Sequence, residues 1–293
     1  MTLPPDPVWL VTGCSSGLGR ALARAVIERG WPIALTARDP RTLDDLVAGS
    51  PQARAYTLDV TEPDAVARVV REVEAGFGRI DVLVNNAGYG YRAAVEEGED
   101  GDVRRLFDTN LFGPNTMIRA VLPGMRARRS GAVVNVSSIA GAMAFPGSGY
   151  YSATKFALEG LTEALAKEVG PLGIAALIVA PGPFRTDFAG RSLRESSTEI
   201  GDYAGTAGLR RPGREPATVK AGDPALAAQA IIGALEATEP PLRLTLGRSG
   251  LDQVRSALRG RLAELDAWDE VGASADGPLR LNEGWAPPPQ RLP

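Results

Sequence analysis

The 293-residue chain contains no histidine. That removes imidazole general bases, serine-histidine triads and every histidine-containing metal site. Any proton transfer performed here needs another carrier. Cysteine is almost absent as well: Cys14 stands alone, so no intramolecular disulfide can form and nothing points to an oxidising compartment. An excess of one charge is also missing, because 32 Lys and Arg against 35 Asp and Glu leave a net charge of −3 with no block of like sign. Nucleic acid and anionic membrane are therefore not expected as partners. No run of 18 apolar residues occurs, and the N-terminus lacks a basic region followed by an apolar stretch, which makes the cytoplasm the expected location. The 44% hydrophobic content is ample for a buried core, at a length near the upper end for one domain.

Short apolar or β-branched runs alternate with longer stretches of helical period, the pattern of repeated βαβ units around a parallel sheet. Strands are predicted at 8–12, 32–37, 54–58, 80–85, 132–137, 174–179 and 242–246, and helices at 18–29, 41–48, 63–76, 103–128, 150–169, 224–236 and 251–267. The expected fold is a single α/β domain over 1–293, a doubly wound parallel sheet of about seven strands flanked by helices. The interval at about 183–222 is rich in Gly, Ser, Thr and Arg, and reads as a mobile excursion covering a site. The Pro-rich ends, 1–7 and 284–293, are expected to be extended or frayed.

Gly13, Gly17 and Gly19 punctuate the turn between the first predicted strand and the first predicted helix, around Cys14, Ser15, Ser16 and Leu18. Glycines there let the backbone approach a pyrophosphate, and the start of a helix offers unpaired N–H groups and a positive dipole end. A dinucleotide is the natural ligand. The spacing Gly-x3-Gly-x-Gly departs from the common Gly-x-Gly-x-x-Gly fingerprint, so that motif applies by mechanism only. The second strand ends Thr36-Ala37-Arg38, with a neutral residue where an acid would receive ribose hydroxyls and a cation suited to a 2′-phosphate. Asp39 is the competing ribose acid. NADP(H) is favoured over NAD(H).

The chain resembles the short-chain dehydrogenases/reductases. The resemblance rests on the Thr12 to Gly19 turn, Asn85-Asn86-Ala87-Gly88, Asn110, Ser138 and Tyr151-Ser152-Ala153-Thr154-Lys155, in family order between Thr12 and about Thr186. It implies that Asn86, Ala87 and Gly88, with the neighbouring Asn85, line the adenosine side of the cofactor and steady the central sheet. It further implies that Asp59 and Val60 contact adenine, and that Pro181, Gly182 and Thr186 hold the nicotinamide carboxamide. Members often form dimers or tetramers through the segments matching 103–128 and 150–169.

Tyr151 and Lys155 are one helical turn apart and share a face. A cation beside a phenol favours phenolate and lowers a pKa normally near 10, which supplies the acid/base that the missing histidine requires. Tyr150 is followed four residues on by Thr154 and is assigned to packing. Ser138 ends the fifth strand at the ligand crevice, where a hydroxyl can stabilise charge growing on a carbonyl oxygen. Ser137 competes, but strand alternation sends it to the opposite face, and the resemblance assigns the catalytic role to Ser138. Pro114 has no N–H, so the carbonyl of Asn110 is expected to lose its helical partner and admit a water. In the family the matching Asn holds a water that joins lysine and tyrosine to solvent.

These residues imply hydride exchange between nicotinamide and a small-molecule carbonyl or secondary alcohol, with Ser138 binding the oxygen, Tyr151 transferring the proton, Lys155 holding the nicotinamide ribose and biasing the phenol, and Asn110 completing the relay. A redox-neutral epimerase, dehydratase or cyclase, and a non-enzymatic dinucleotide sensor, are the alternatives. Tyr89, Tyr91, Met143, Phe145, Phe184 and Phe188 are expected near the crevice, favouring a fairly apolar substrate. Arg92, Arg185 and Arg191 keep an anionic one open.

Overall fold

The computed structural model describes residues 3–186, 190, 192–211 and 221–276. Nine strands are named along the described residues: β1 (Trp9–Val11), β2 (Ile33–Ala37), β3 (Ala53–Thr57), β4 (Val82–Asn85), β5 (Gly90–Arg92), β6 (Gly131–Val136), β7 (Ile174–Pro181), β8 (Leu193–Glu195) and β9 (Arg243–Leu246). Seven of them form one parallel sheet in the order β3-β2-β1-β4-β6-β7-β9. These are the seven strands expected from the sequence, each within a few residues of its predicted bounds. The order reverses direction at β1 and β4, which opens a crevice outside the carboxyl ends of those strands.

The helices are α1 (Gly17–Glu28), α2 (Asp44–Val47), α3 (Pro63–Phe77), α4 (Asp100–Phe107), α5 (Gly113–Arg128), α6 (Gly149–Val169), α7 (Pro224–Glu236), α8 (Arg248–Ala267) and α9 (Asp269–Ala273). They cover both faces of the sheet, so its central strands are apolar on both sides. Trp9, Val11, Val82 and Val84 point to one face and pack with Leu22, Val26, Ile231 and Ile232 of α1 and α7. Leu10, Leu83 and Val133 point to the other and pack with Val66, Val70, Met117, Val121 and Leu165 of α3, α5 and α6. Strand alternation divides one core into two layers.

Three expectations are corrected. The single helix expected at 103–128 is two, α4 and α5, joined by a π-helical turn at Asp108–Phe112 in which the Gly113 N–H donates to the Asp108 carbonyl. A π register is the structural response around Pro114, which cannot donate to Asn110. Secondly, the excursion is anchored where it is described: β8 pairs in parallel with β5, and the Ser196 N–H donates to the Arg92 carbonyl at 2.9 Å. Arg211 is buried and donates to the Ser196 carbonyl at 3.1 Å and to Glu97 Oε2 at 3.1 Å, while the Ile200 N–H donates to Glu97 Oε1 at 2.9 Å. Thirdly, the expected helix 41–48 opens as a 3₁₀ turn at Pro40–Leu43 capped by Asp39. Phe188, Arg191 and the end 284–293 lie outside the described residues. Among those described, no helix is long and apolar enough to cross a membrane, and no cluster of metal-ligating side chains occurs.

Candidate active site

A cavity of about 600 Å³ opens at the carboxyl ends of β1, β2, β4, β6 and β7. Its floor is the turn from β1 into α1. Thr12 ties this turn to the loop after β4: its Oγ1 accepts the N–H of Asn86 and of Ala87, each at 3.0 Å. Asn86 Nδ2 returns the contact by donating to the Thr12 carbonyl at 2.9 Å and the Gly13 carbonyl at 3.0 Å. The glycines are required at that junction. Gly13 has φ +70°, and a Cβ on it would stand 2.9 Å from the Ala87 Cα; a Cβ on Gly19 would collide with the Asn86 amide and lie 2.6 Å from the Gly13 carbonyl oxygen.

Gly13, Ser15, Ser16, Gly17 and Leu18 line the cavity at the N-terminus of α1, whereas Gly19 stands behind them as a packing position. Ser16 is the N-cap in extended conformation without a side-chain cap, and the first turn holds no acid. Unpaired N–H groups and a positive dipole end thus face open space, which fits a pyrophosphate. The rest of the dinucleotide set lies on the same wall: Arg38, Asp59, Val60, Asn86, Ala87, Gly88, Pro181, Gly182 and Thr186 all line the cavity. Asn85 does not. Its Nδ2 donates to Asn135 Oδ1 at 2.8 Å and Asn135 donates to Thr162 Oγ1 at 2.8 Å, a buried polar link from sheet to α6. Asp39 is likewise committed elsewhere, accepting from the Arg41 N–H at 3.1 Å and from Arg41 Nη2 at 2.8 Å.

Across the cavity, β6 leads into Ser137 and Ser138, and α6 presents Tyr151 and Lys155. Ser138 is the N-cap of a 3₁₀ turn, its Oγ accepting the Ala140 N–H at 3.1 Å, and its side chain is hydrogen-bonded to the Tyr151 phenol. Ser137 also lines the cavity, but its hydroxyl donates to Glu159 Oε1 of α6 at 2.8 Å. Lys155 Nζ donates to the Val136 carbonyl at 2.8 Å and lies 5.8 Å from the Tyr151 ring centre. Tyr150 donates to the Val95 carbonyl at 2.6 Å and packs on Tyr91, as a structural residue should.

The electrostatics correct one expectation. Burial pushes the Tyr151 phenol up to about 12, opposed by its hydrogen bond with Ser138 and by the charge of Arg92, and Lys155 is not what pulls it down. Burial also pushes Lys155 down to about 8, against the charge of Glu159 one turn further along α6. Desolvation outweighs Ser138 and Arg92 at the phenol, and it separately weakens the hold of Lys155 on its proton. Glu159 was missed in the sequence, although Tyr151, Lys155 and Glu159 recur every four residues on one helix face.

Asn110 is fully buried and does not line the cavity. It stands behind Gly88 and Tyr89: its Oδ1 accepts the Tyr89 N–H at 3.0 Å, and its Nδ2 donates to the Tyr89 carbonyl at 2.9 Å and to Thr154 Oγ1 at 3.3 Å. Of the aromatic residues expected at the crevice, Tyr89 and Phe184 line the cavity. Tyr91 is core, its ring buried with Leu106 and Tyr151, and neither Met143 nor Phe145 reaches the wall. Arg185 is paired with Asp223 at 2.8 Å, and Arg92 is bonded to Ser148. The charged lining residues that sequence reasoning overlooked are Arg105, Asp108 and Arg194, with Arg194 over the Tyr89 ring at 5.1 Å.

Comparison with known proteins agrees with this geometry. Residues 7–197 match the family model for short chain dehydrogenases. The chain is 41% identical over 196 residues to a 3-ketodihydrosphingosine reductase of Bacteroides thetaiotaomicron, covering 67% of this chain and 71% of that protein. A crystal structure of a short-chain dehydrogenase from Streptomyces avermitilis has 46% identity and a TM-score of 0.88, over 92% of this chain and 98% of that one. Cofactor-bound relatives differ in what they hold. A Burkholderia cenocepacia dehydrogenase in complex with NADP is 25% identical with a TM-score of 0.72, over 91% and 98% of the two chains. A Burkholderia phymatum enzyme in complex with NAD is 26% identical with a TM-score of 0.76, over 89% and 95%. The chain therefore belongs to the short chain dehydrogenase family of oxidoreductases, whose cofactor is a nicotinamide dinucleotide.

Proposed function

We propose that this protein is an NADP(H)-dependent ketoreductase acting on a fairly apolar small-molecule carbonyl in the cytoplasm. The observation that carries the reading is that Ser138, Tyr151 and Lys155 line one cavity together with the glycine turn. The glycine turn, Arg38, Asp59, Val60, the Asn86 to Gly88 segment, Pro181, Gly182 and Thr186 would hold the dinucleotide, which when bound supplies the hydride. Arg38 on the wall, with Asp39 occupied by Arg41, supports a 2′-phosphate. Ser138 binds the substrate oxygen, and Tyr151, protonated at neutral pH, delivers a proton to it. Lys155 supplies positive charge beside the cofactor ribose and the phenol. Asn110 acts as a positioning residue that fixes Gly88 and Tyr89 and continues the proton relay. Tyr89, Pro183 and Phe184 support an apolar substrate, as does the resemblance to a reductase of a ketone of the sphingosine type. Assembly as a dimer or tetramer through α4, α5 and α6 belongs to the same reading, supported by Phe112, which is 54% exposed where α4 meets α5.

The test is stoichiometric consumption of NADPH against a panel of apolar ketones, with product mass measured in parallel. Turnover without NADPH loss would replace this reading with a redox-neutral one. Tight NADPH binding with no turnover across the panel would replace it with a sensor.

A further inference from the structure

Helix α8 leaves the body of the protein. Its first turns pack, with Gly250 buried against Gly182, and Arg261 lies over the Phe156 ring of α6 at 5.2 Å. From Leu258 to Ala267 each residue of the helix is nonetheless exposed. Yet its sequence keeps an apolar stripe: Leu251, Val254, Leu258, Leu262, Leu265 and Trp268 recur at intervals of three and four, which places them on one face. Leu262 is 58% exposed and Leu265 is 67% exposed. A solvated helix has no need of such a stripe, and exposed apolar surface of this continuity marks an interaction site.

The charges beside the stripe identify the occupant. From 248 to 261 the helix carries Arg248, Arg255, Arg259 and Arg261 against Asp252; from 262 to 276 the charges are Glu264, Asp266, Asp269, Glu270 and Asp276, with no cation. One half is basic and the other acidic. At 100° per residue, Arg255, Arg259 and Asp266 all fall on the same edge of the stripe. When two copies of a helix pack antiparallel, that edge meets its own counterpart in reverse, so each basic half lies beside an acidic half. Such a contact is self-complementary about a two-fold axis, which is the commonest symmetry of homo-oligomers. A parallel pair would set like charges together.

We infer that α8 is a self-association helix that pairs antiparallel with α8 of a second copy, with Leu262 near the two-fold axis. Leu258 then packs on Trp268 of the second copy, and Arg259 faces its Asp266. Residues 277–293 are a poorer fit to the stripe, since their charges are only Arg280, Glu283 and Arg291 and have no matching polarity. The contact is separate from any assembly through α4, α5 and α6.

Sedimentation of the full chain tests it. Leu262→Arg with Leu265→Arg is expected to halve the assembly mass, whatever that mass is, while NADPH binding stays unchanged. Arg259→Asp and Asp266→Arg are each expected to weaken this step about tenfold, and the two together to restore it, because the cross-copy pair is re-formed with reversed sign. In a protein whose native thiol, Cys14, is buried, Leu262→Cys is expected to form a disulfide-linked dimer on oxidation and Ser256→Cys, on the far face, is not. An unchanged mass in the double arginine variant would overturn the inference. So would dimerisation that appears only after residues 277–293 are removed, since the chain's own end would then be the occupant, or binding of α8 to lipid vesicles with no self-association.

Discussion

Tyr151 and Lys155 show how far residue spacing alone reaches. Their four-residue interval was legible because it is a local property of a helix. What it did not disclose is the balance between burial and charge, since that depends on packing among Tyr91, Leu106 and Ala140. The partners of Glu159 were equally hidden, because Ser137 and Arg243 come from distant strands. The observed balance makes Tyr151 an acid that stays protonated well above neutrality and Lys155 the group that titrates near pH 8. Tyr151→Phe is expected to lower kcat for carbonyl reduction by about 10²- to 10⁴-fold, with the dissociation constant for NADPH little altered; rapid kinetics and fluorescence titration check both halves. The pH profile of kcat/KM should fall as pH rises through about 8, where Lys155 gives up its proton. Glu159 opposes that loss, so Glu159→Gln should move the falling limb to lower pH, an effect that mere loss of packing would not produce.

At the scale of elements, β1, β2, β4, β6 and β7 were legible because they are almost wholly buried on both faces and read as nearly continuous apolar runs, whereas the edge strands β3 and β9 are partly exposed and carry Arg54 and Arg243. The pair β5 and β8 was not. Each is three residues long, they include Arg92, Arg194 and Glu195, and their partners come from segments far apart in sequence. The excursion they anchor is held by charge. Arg211 sits against Glu97 with its side chain 10% exposed and that of Glu97 3% exposed. Arg211→Ala would leave a buried carboxylate without its cation, a loss of about 3–5 kcal/mol by precedent for such pairs. Urea unfolding should register that loss, and proteolysis in the native state should begin within 192–211. The glycine turn makes a second expectation at this scale. Gly19→Ala forces its methyl into the Asn86 amide, so the staple between β1 and β4 must open. NADPH affinity should drop by at least tenfold in calorimetry, and Asn86→Ala, which removes the staple without the clash, should reproduce part of that drop.

At the scale of the whole molecule, the missing histidine shapes how stability responds to pH. Carboxylates held by arginine, lysine or hydroxyl partners, among them Glu99 and Glu163, are both pulled down to about 2. Their folded pKa values lie below the unfolded ones, so the stability they contribute is present above about 4.5 and is lost as pH falls toward 2. On the alkaline side two buried groups have raised folded values: Cys14 from 9.0 to about 12 and Tyr151 from 10.0 to about 12. Their contribution is complete below pH 9 and drains away as pH climbs through 12. Lys155 runs the other way. Its folded value is depressed from 10.5 to about 8, so the unfolded chain holds the extra proton between those values and stability rises with pH across that interval. No imidazole titrates between the two limbs. Chemical denaturation at a series of pH values should therefore give a flat plateau from about pH 5.5 to 8, a shallow rise toward pH 9 and a decline above 10. Lys155→Met should abolish the rise and leave the acid limb where it was. A stability maximum near pH 6 in the parent chain would show that some other group governs the balance.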